Sequence, residues 1–166
     1  MRITFKTTTL AFRPGIYDTI VGNVTNYKHS ASELVYHLVC PIKYQRKIFT
    51  SENEPTLKAL ALELEKRYEL HFLEIGIDTD HVHFLTQAIP VLLPADLANI
   101  VKGNVSRQFF IQHPEVKVFL LGSSLWSDGY YVNTVGNANM SIIKNYVQNQ
   151  GCPEYAQLHQ TNLTLF

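Results

Sequence analysis

The spacing of hydrophobic residues changes along the chain and divides it into short strands and longer helices. Alternation of apolar and polar residues, or a short run that is apolar on both faces, predicts five strands, at Leu34–Ile42, Leu70–Ile77, His81–Gln87, Val116–Leu121 and Tyr130–Thr134. Apolar residues three and four positions apart predict three helices, from Ser51 to Tyr68, at Pro94–Gln112 and at Asn137–Gln150. The first helix also begins with the Ser51 and Glu54 pattern of a capping box and has Pro55 in its first turn.

The order of these elements, β-α-β-β-α-β-β-α, predicts the fold class. It fits an α+β protein with a ferredoxin-like, RRM-like antiparallel sheet, helices on one face and a further C-terminal helix. Because Leu34–Ile42 is apolar on both faces, we expect it at the centre of the sheet. Ile3, Phe5 and the β-branched residues near them predict a short N-terminal strand. An added edge strand is the favoured interpretation, ahead of a dimer contact or a variable extension.

Composition restricts the class of protein further. The chain has 166 residues, 46% of them hydrophobic, which suffices for one domain with a sizeable core and is short for two. The sequence contains no apolar run near twenty residues and no signal-peptide pattern, so we expect a soluble, cytoplasmic protein with no membrane partner. Two cysteines, Cys40 and Cys152, are too few for a disulfide framework and are expected to be reduced thiols. The zero net charge indicates no particular partner.

His81 and His83 are the first candidates for chemistry. They are two residues apart on a predicted strand, so both side chains leave the same face, roughly 6 to 7 Å apart at the backbone, while Val82 and Phe84 point into the core. Two imidazoles can share one divalent ion and leave coordination positions open for water, a third ligand or a phosphate oxygen. Two histidines near a turn are also common as packing or surface residues, so the pattern needs support from elsewhere in the chain.

Tyr146 and Gln150 are the second candidates. They follow Ile142 at four-residue spacing on the last predicted helix and therefore point the same way. A tyrosine hydroxyl and an amide oxygen one turn apart can offer a nucleophile and a metal ligand to one small volume. A core tyrosine beside a solvated glutamine explains the same spacing when the helix is considered alone.

Several motifs in a fixed order resemble one known family. They are Tyr36–Val39, Lys43–Lys47, Gly76–His83, Lys102–Gly103 with Ser106–Arg107, Leu125–Tyr131, Thr134–Gly136 and Tyr146–Gly151. From about Ser30 to Gly151 the chain resembles the single-tyrosine HUH transposases of the TnpA type, which serve insertion sequences that move as single-stranded DNA. HUH denotes His, a hydrophobic residue and His, here His81-Val82-His83. Such an ordered set is far more specific than the histidine pair alone.

The resemblance implies the same ferredoxin-like fold and a defined chemistry. His81, His83 and Gln150 are implied as ligands of Mg²⁺ or Mn²⁺. Tyr146 is implied as the nucleophile that cleaves a DNA phosphodiester and retains the 5′-phosphate as a phosphotyrosine, which a 3′-hydroxyl can later attack to rejoin strands.

The resemblance also divides the chain. We predict an N-terminal extension of unknown role at 1–28, the HUH transposase domain at 29–152 and a C-terminal tail at 153–166. Inside the domain, Asp78 and Asp80 can assist as partners of a histidine, although formation of the turn between two strands explains them as well.

DNA hairpins near the ends of the element are the implied substrate, with the cleaved strand single. The residues expected to contact phosphates or unpaired bases are basic or aromatic, namely Lys43, Tyr44, Arg46, Lys47, Lys102 and Arg107. Basic clusters of this size also occur on ordinary solvated surfaces.

Assembly follows from the open sheet. A ferredoxin-like sheet leaves edge strands, and pairing two copies satisfies their backbone groups within closed two-fold symmetry. We therefore expect a homodimer, and the resemblance implies that Tyr146 of one chain serves His81 and His83 of the other.

Two other functions fit the sequence less well. A non-catalytic ferredoxin-like nucleic-acid-binding module needs base-stacking aromatic residues on its central strands, where this chain has His81 and His83. A domesticated or repeat-element-associated single-tyrosine HUH nuclease, or a replication-initiator nickase, shares the chemistry. It lacks the Lys102-Gly103 and Trp126-x-x-Gly129-Tyr130 context.

Overall fold

The structure, a computed structural model, describes residues 17–21, 24–27, 30–122, 124–136 and 139–151. Its strands are β1 (Tyr17–Val21), β2 (Val24–Tyr27), β3 (Ser30–Ser32), β4 (Leu34–Pro41), β5 (Leu70–Ile77), β6 (His81–Ala88) and β7 (Tyr131–Thr134). Its helices are α1 (Glu54–Glu65), α2 (Pro94–Gln112), α3 (Pro114–Phe119) and α4 (Met140–Gln148), with a single 3₁₀ turn at Lys43–Gln45.

Four strands form the main sheet, in the order β5-β6-β4-β7, and every neighbouring pair is antiparallel. β4 lies inside the sheet between β6 and β7, as its two apolar faces predict. β4 and β6, the first and third strands of the ferredoxin-like fold, are therefore neighbours, with Val39 of β4 opposite His83 of β6. This is the predicted ferredoxin-like α+β arrangement, and the fold class is confirmed.

Helices cover both faces of this sheet. α1 and α2 pack on the face that carries Leu38, Val82 and Phe84, and together they form the main hydrophobic core. α4 lies across the opposite face, where Met140 and Ile143 pack against a second, smaller cluster formed by Val35, Leu85 and Val135. Two apolar clusters on opposite faces fix the sheet between α1 and α2 on one side and α4 on the other.

β1, β2 and β3 form a separate antiparallel sheet in that order. The N-terminal strand predicted around Ile3 and Phe5 lies outside the described residues, as do Cys152 and the predicted tail. Cys40 is a free, buried thiol, and burial raises its pKa to about 12. Among the described residues, no helix is long and apolar enough to cross a membrane.

The strand predicted at Val116–Leu121 is wrong, because this segment contains helix α3. Val116 and Leu120 are buried whereas Val118 is 75% exposed, so burial repeats every four residues rather than every two. The amide of Leu120 donates to the carbonyl oxygen of Val116 at 3.0 Å. Leu121 and Gly122 then adopt positive φ angles, 58° and 71°, and end the helix. The alternation of Val116 and Val118 favours a strand, whereas Pro114 favours a helix start, and the helix is what forms.

The predicted capping box of the first helix is also wrong. α1 begins at Glu54, and its N-cap residue is Asn53, which makes no side-chain cap bond. Asn53 instead accepts from the amide of Thr50 at 3.0 Å and donates to the carbonyl oxygen of Ile48 at 2.8 Å, so it stabilises the preceding loop. Pro55 occupies the first turn as predicted.

Candidate active site

β6 and β4 present three histidines on the sheet face opposite α1 and α2. His81 and His83 leave this face together, as their spacing predicts, while Val82 between them is fully buried in the main core. The ring centroids of His81 and His83 lie 4.8 Å apart. His37 reaches the same place from β4, two residues before Val39, the partner of His83. Neighbouring strands thus gather imidazoles that are far apart in sequence.

α4 brings Tyr146 to these histidines. Its phenol ring stands edge-on to His83, with centroids 5.4 Å apart and planes at 86°, and its centroid lies 6.3 Å from that of His37. The three rings face one volume within a single chain. The prediction that Tyr146 serves the histidines of a second chain concerns a dimer and stays a prediction.

Each HUH histidine has one ring nitrogen engaged and the other left for a ligand. Nδ1 of His81 lies 2.6 Å from Oδ1 of Asp80, and Nδ1 of His83 lies 2.8 Å from Nε2 of His37. Nε2 of His83 is buried and has no hydrogen-bond partner among the described residues. Burying a polar atom without a partner costs free energy, and a metal ion bound at Nε2 would remove that cost. The donor atoms present therefore fit a divalent ion.

The two aspartates before the motif have different surroundings. Asp80 is the partner of His81, whereas Oδ1 of Asp78 accepts from the amide of Thr79 at 2.6 Å and stabilises the turn. A carboxylate bonded to Nδ1 fixes both the orientation and the tautomer of a ligating histidine. Of the two candidate helper aspartates, the structure places only Asp80 beside a histidine.

Burial keeps the two inner histidines neutral. Desolvation, followed by the nearby His81 and His37, lowers the pKa of His83 to about 3. Burial also lowers the pKa of His37 below its usual value. The neutral imidazole is the form that binds a metal ion, so these two side chains need lose no proton at pH 7.

Gln150 lies one turn beyond Tyr146 and is half-buried. Its Nε2 donates to the backbone carbonyl oxygen of Tyr146 at 3.1 Å, which leaves the amide oxygen, the atom that binds metals, outside that bond. Within the described chain, Gln150 makes no hydrogen bond with the side chain of His81 or His83. In the same part of the chain no group of three His, Cys, Asp or Glu side chains is placed to hold a metal ion.

A glycine sets how closely α4 approaches the sheet. Gly76 of β5 is the register partner of His83, and a Cβ atom on Gly76 would lie 2.1 Å from the carbonyl oxygen of Val147 in α4. Gly151, at φ 78°, ends the segment beside Ile77, whose carbonyl oxygen lies 2.9 Å from the position of an added Cβ. The backbone of α4 therefore lies directly on β5, next to the strand that carries the histidines.

Three of the predicted DNA-binding residues lie around the loop at residues 127–129. Lys43 lies 2.9 Å from the carboxylate of Asp128 and lowers its pKa, and it lies 5.8 Å from the ring centroid of the exposed Tyr44. The ammonium of Lys102 donates to the carbonyl oxygens of residues 127, 128 and 129, at 3.0, 3.1 and 3.4 Å, and lies 5.4 Å from the ring centroid of Tyr130. Both lysines hold the loop in shape, and Tyr44 and Tyr130 flank it.

The remaining basic candidates make no hydrogen bond or ion pair with this loop within the described chain. Arg46 donates to the carbonyl oxygen of Phe119 at 3.0 Å and stacks on its ring at 4.8 Å. Lys47 and Arg107 are exposed. The structure thus brings Lys43, Tyr44 and Lys102 together, while Arg46 packs against α3.

Sequence reasoning missed His37 and Gly76. His37 lies in a strand that is apolar on both faces, and its own segment predicts no chemical role for it. The signal was available, because the first and third strands of a ferredoxin-like sheet are neighbours, so a histidine on the non-core face of the first strand meets those of the third. Gly76 was noted only as part of a motif, since a close approach of two backbones leaves no mark on hydrophobic spacing.

Comparison with known proteins assigns the chain to a class. Residues 30–150 match the family model described as Transposase IS200 like, and the chain belongs to this family of transposases. It is 29% identical over 118 residues to the ISDra2 transposase TnpA of Deinococcus radiodurans, covering 71% of this chain and 84% of that protein. It is 27% identical over 130 residues to the transposase for insertion sequence element IS200 of Salmonella typhimurium, covering 78% and 85%.

Structural comparison gives the same class. The fold matches the crystal structure of a Deinococcus radiodurans protein assigned as a transposase, with a TM-score of 0.63 and 27% sequence identity, over 76% of this chain and 97% of that one. The protein is accordingly an enzyme of DNA transposition.

Proposed function

We propose that this transposase cleaves and rejoins single-stranded DNA at insertion-sequence ends through a covalent phosphotyrosine at Tyr146. The observation that carries the proposal is the convergence of Tyr146, His81 and His83 around the unpartnered, buried Nε2 of His83. A nucleophile and two imidazole nitrogens that can bind a metal ion, all in one volume, suit phosphoryl transfer, and they suit a purely structural role poorly.

The proposed metal ligands are His81, His83 and Gln150, with Mg²⁺ or Mn²⁺ as the ion. When bound, the ion polarises the scissile phosphate and offsets the charge that develops on its oxygens. His81 and His83 offer Nε2, because their Nδ1 atoms are engaged by Asp80 and His37. Gln150 offers its amide oxygen, which its bond to the carbonyl of Tyr146 does not use.

Tyr146 performs the covalent step. Its hydroxyl oxygen bonds to phosphorus as the bond from phosphorus to the 3′-oxygen breaks; the phenol proton is lost and the departing 3′-oxygen takes up a proton. The products are a 5′-phosphotyrosine and a free 3′-hydroxyl. Since a second 3′-hydroxyl can reverse the step on another strand, cleavage and rejoining are one reaction in two directions and need no ATP.

Single-stranded DNA with hairpin ends is the proposed substrate. The loop held by Lys43 and Lys102 offers Tyr44 and Tyr130 as exposed rings on which unpaired bases can stack. Lys47, Arg107 and Arg46 supply further positive charge for phosphates. The domain that performs these functions is proposed to span 29–152, close to the range that matches the family model.

Replacing the nucleophile tests the proposal. We expect Tyr146→Phe to retain DNA binding but to form no covalent adduct with labelled single-stranded DNA from the flanks of its gene, because only the hydroxyl is lost. Incubation with Mn²⁺ followed by a denaturing gel measures the adduct.

Tyr131→Phe is the matched control, since Tyr131 is 59% exposed on β7 and its ring makes no contact with the histidine rings within the described chain. The control should form the adduct as the wild-type protein does. An adduct in Tyr146→Phe at the wild-type rate would assign the nucleophile to another residue.

A further inference from the structure

Three histidines meet in the active site, although the HUH motif supplies two. His37 lies on β4 diagonally across from His83, because His37 pairs with Leu85 and Val39 pairs with His83. Diagonal neighbours on antiparallel strands are within reach of long side chains. The two imidazoles are nearly coplanar, with planes 15° apart and centroids 5.1 Å apart, and Nε2 of His37 lies 2.8 Å from Nδ1 of His83. This is an in-plane hydrogen bond between buried rings.

The position of the proton in this bond decides what His83 can do. A neutral imidazole carries one proton, on either Nδ1 or Nε2. If His37 donated, His83 would carry its proton on Nε2 and could not offer that nitrogen to a metal ion. If His83 donates from Nδ1, its Nε2 keeps a lone pair, and this is the atom that is buried without a partner among the described residues.

We propose that His37 is a positioning residue which accepts the Nδ1 proton of His83 and so presents Nε2 of His83 to the metal ion. The inference rests on the proposed function, since it concerns the metal site of that function. His37 does not touch the ion or the DNA; it fixes the tautomer and the ring orientation of a residue that does.

The surroundings explain why the partner of His83 is an imidazole, whereas the partner of His81 is a carboxylate. Asp80 lies at the exposed end of β6, with its side chain 36% exposed, where water solvates its charge. His37 is only 8% exposed, and an ionised carboxylate at that depth would be costly to bury. A neutral imidazole supplies an acceptor without adding a charge.

A hydrogen-bond acceptor is also available near the remaining proton of His37. When Nε2 accepts, His37 carries its own proton on Nδ1. Asn133 of β7 is the register partner of His37, and its amide oxygen is buried without a hydrogen-bond partner in the part of the chain described. An unused acceptor therefore lies on the strand beside His37.

Two substitutions of His37 separate an acceptor role from a packing role. His37→Phe keeps a planar ring and removes the acceptor, whereas His37→Gln restores an acceptor oxygen at similar reach. We expect His37→Phe to weaken Mn²⁺ binding, measured calorimetrically on otherwise intact protein, by about 10- to 100-fold. His37→Gln should recover most of that loss. A structural role alone would give the opposite order, because phenylalanine fills the buried volume better.

A measurement on the metal-free wild-type protein needs no variant. Long-range ¹H–¹⁵N correlation spectra distinguish the two neutral tautomers, and we expect the Nδ1–H form for His83. The Nε2–H form in the wild-type protein would overturn the proposal even if His37→Phe failed to fold.

The outcomes also separate this proposal from the proposed function. If the wild-type protein binds Mn²⁺, His81→Ala weakens binding and His37→Phe binds as tightly as wild type, the role of His37 is refuted and the metal site stands. If the wild-type protein and His81→Ala bind Mn²⁺ equally weakly, the metal site fails and the role of His37 fails with it.

Discussion

His83 is held neutral by its burial, and this couples folding to pH. Its pKa is about 3 in the folded chain and 6.5 when unperturbed. Below pH 6.5 the unfolded chain therefore binds a proton that the folded chain excludes, so stability is full above pH 6.5 and is lost as the pH falls toward 3. One such group contributes up to about 1.4 kcal/mol per pH unit. Without metal, we expect the free energy of unfolding in urea to fall by about 2 kcal/mol between pH 6.5 and pH 5 from this group.

His83→Leu isolates the contribution, because it removes the titrating group and leaves a buried apolar side chain. Its plot of stability against pH should be flatter over the same range. His71 acts in the opposite direction, since its bond to Glu65 raises its pKa and its contribution is lost as the pH rises, but both proteins share it. Parallel plots of stability against pH for the two proteins would mean that His83 is protonated in the folded chain as readily as in the unfolded chain.

The HUH histidines were predictable from the sequence, whereas His37, the partner of His83, was not. Two-residue spacing on a strand dictates a common face whatever the rest of the fold does. The bond between His37 and His83 depends on which strands are neighbours and on a register diagonal, and neither is written in the spacing of either segment. Tyr146 was predictable as facing the histidines once its helix was assigned to their side of the sheet. The contact between Gln150 and the histidines is still a prediction.

The position of helix α4 against the sheet depends on Gly76 of β5. In Gly76→Ala the new methyl group would lie 2.1 Å from the carbonyl oxygen of Val147, so the helix must move away from the sheet. We expect a loss of about 1–3 kcal/mol of stability, as for other overpacked sites. Amide hydrogen exchange across Met140–Gln148 should accelerate and adduct formation should fall, because Tyr146 moves with the helix.

Gly103→Ala is the control for this substitution. Gly103 lies inside α2, and no atom lies within 4 Å of an added Cβ apart from the local helix backbone. The same chemical change should leave exchange in α4 unaltered and stabilise α2 by up to about 1 kcal/mol. Unchanged exchange of α4 in Gly76→Ala would mean that the helix is not seated through this contact.

Elements with a strong period were predicted well, and short segments were not. β5, β6, α1 and α2 each repeat their pattern over eight residues or more, so the tertiary structure had little left to decide. α3 has only six residues, and alternation and helical spacing differ there by a single valine, Val118. Which side chains of α3 are buried depends on its packing against α2, and the sequence of α3 alone does not contain that information. The predicted start of the last helix, Asn137, lies outside the described residues, and α4 begins at Met140.

At the scale of the whole molecule, the strand order leaves β5 and β7 at the two edges of the main sheet, and the β7 edge is the candidate for pairing with a second copy. β7 pairs with β4 alone, so its other side carries backbone groups without a strand beside them in the described chain. Tyr131 at its start is 59% exposed. We propose that two copies join in a homodimer within two-fold symmetry. In the single chain, α4 packs on its own β5. In a cis arrangement each chain supplies Tyr146 to its own histidines, whereas in the predicted exchange the α4 at this position comes from the other chain.

Mixing two inactive chains decides who supplies Tyr146. One chain carries Tyr146→Phe and the other carries His83→Ala; random pairing makes about half of the dimers mixed. In a trans arrangement each mixed dimer has one site with an intact tyrosine opposite intact histidines, so adduct formation should return to roughly a quarter of the wild-type level. In a cis arrangement neither site of a mixed dimer is complete, and the mixture stays inactive. We expect recovery, because the resemblance to the transposase family implies exchange of this helix. A silent mixture in which heterodimers are demonstrated by mass would instead mean that the α4 seated on its own sheet is the catalytic one, with the covalent chemistry of Tyr146 unaffected.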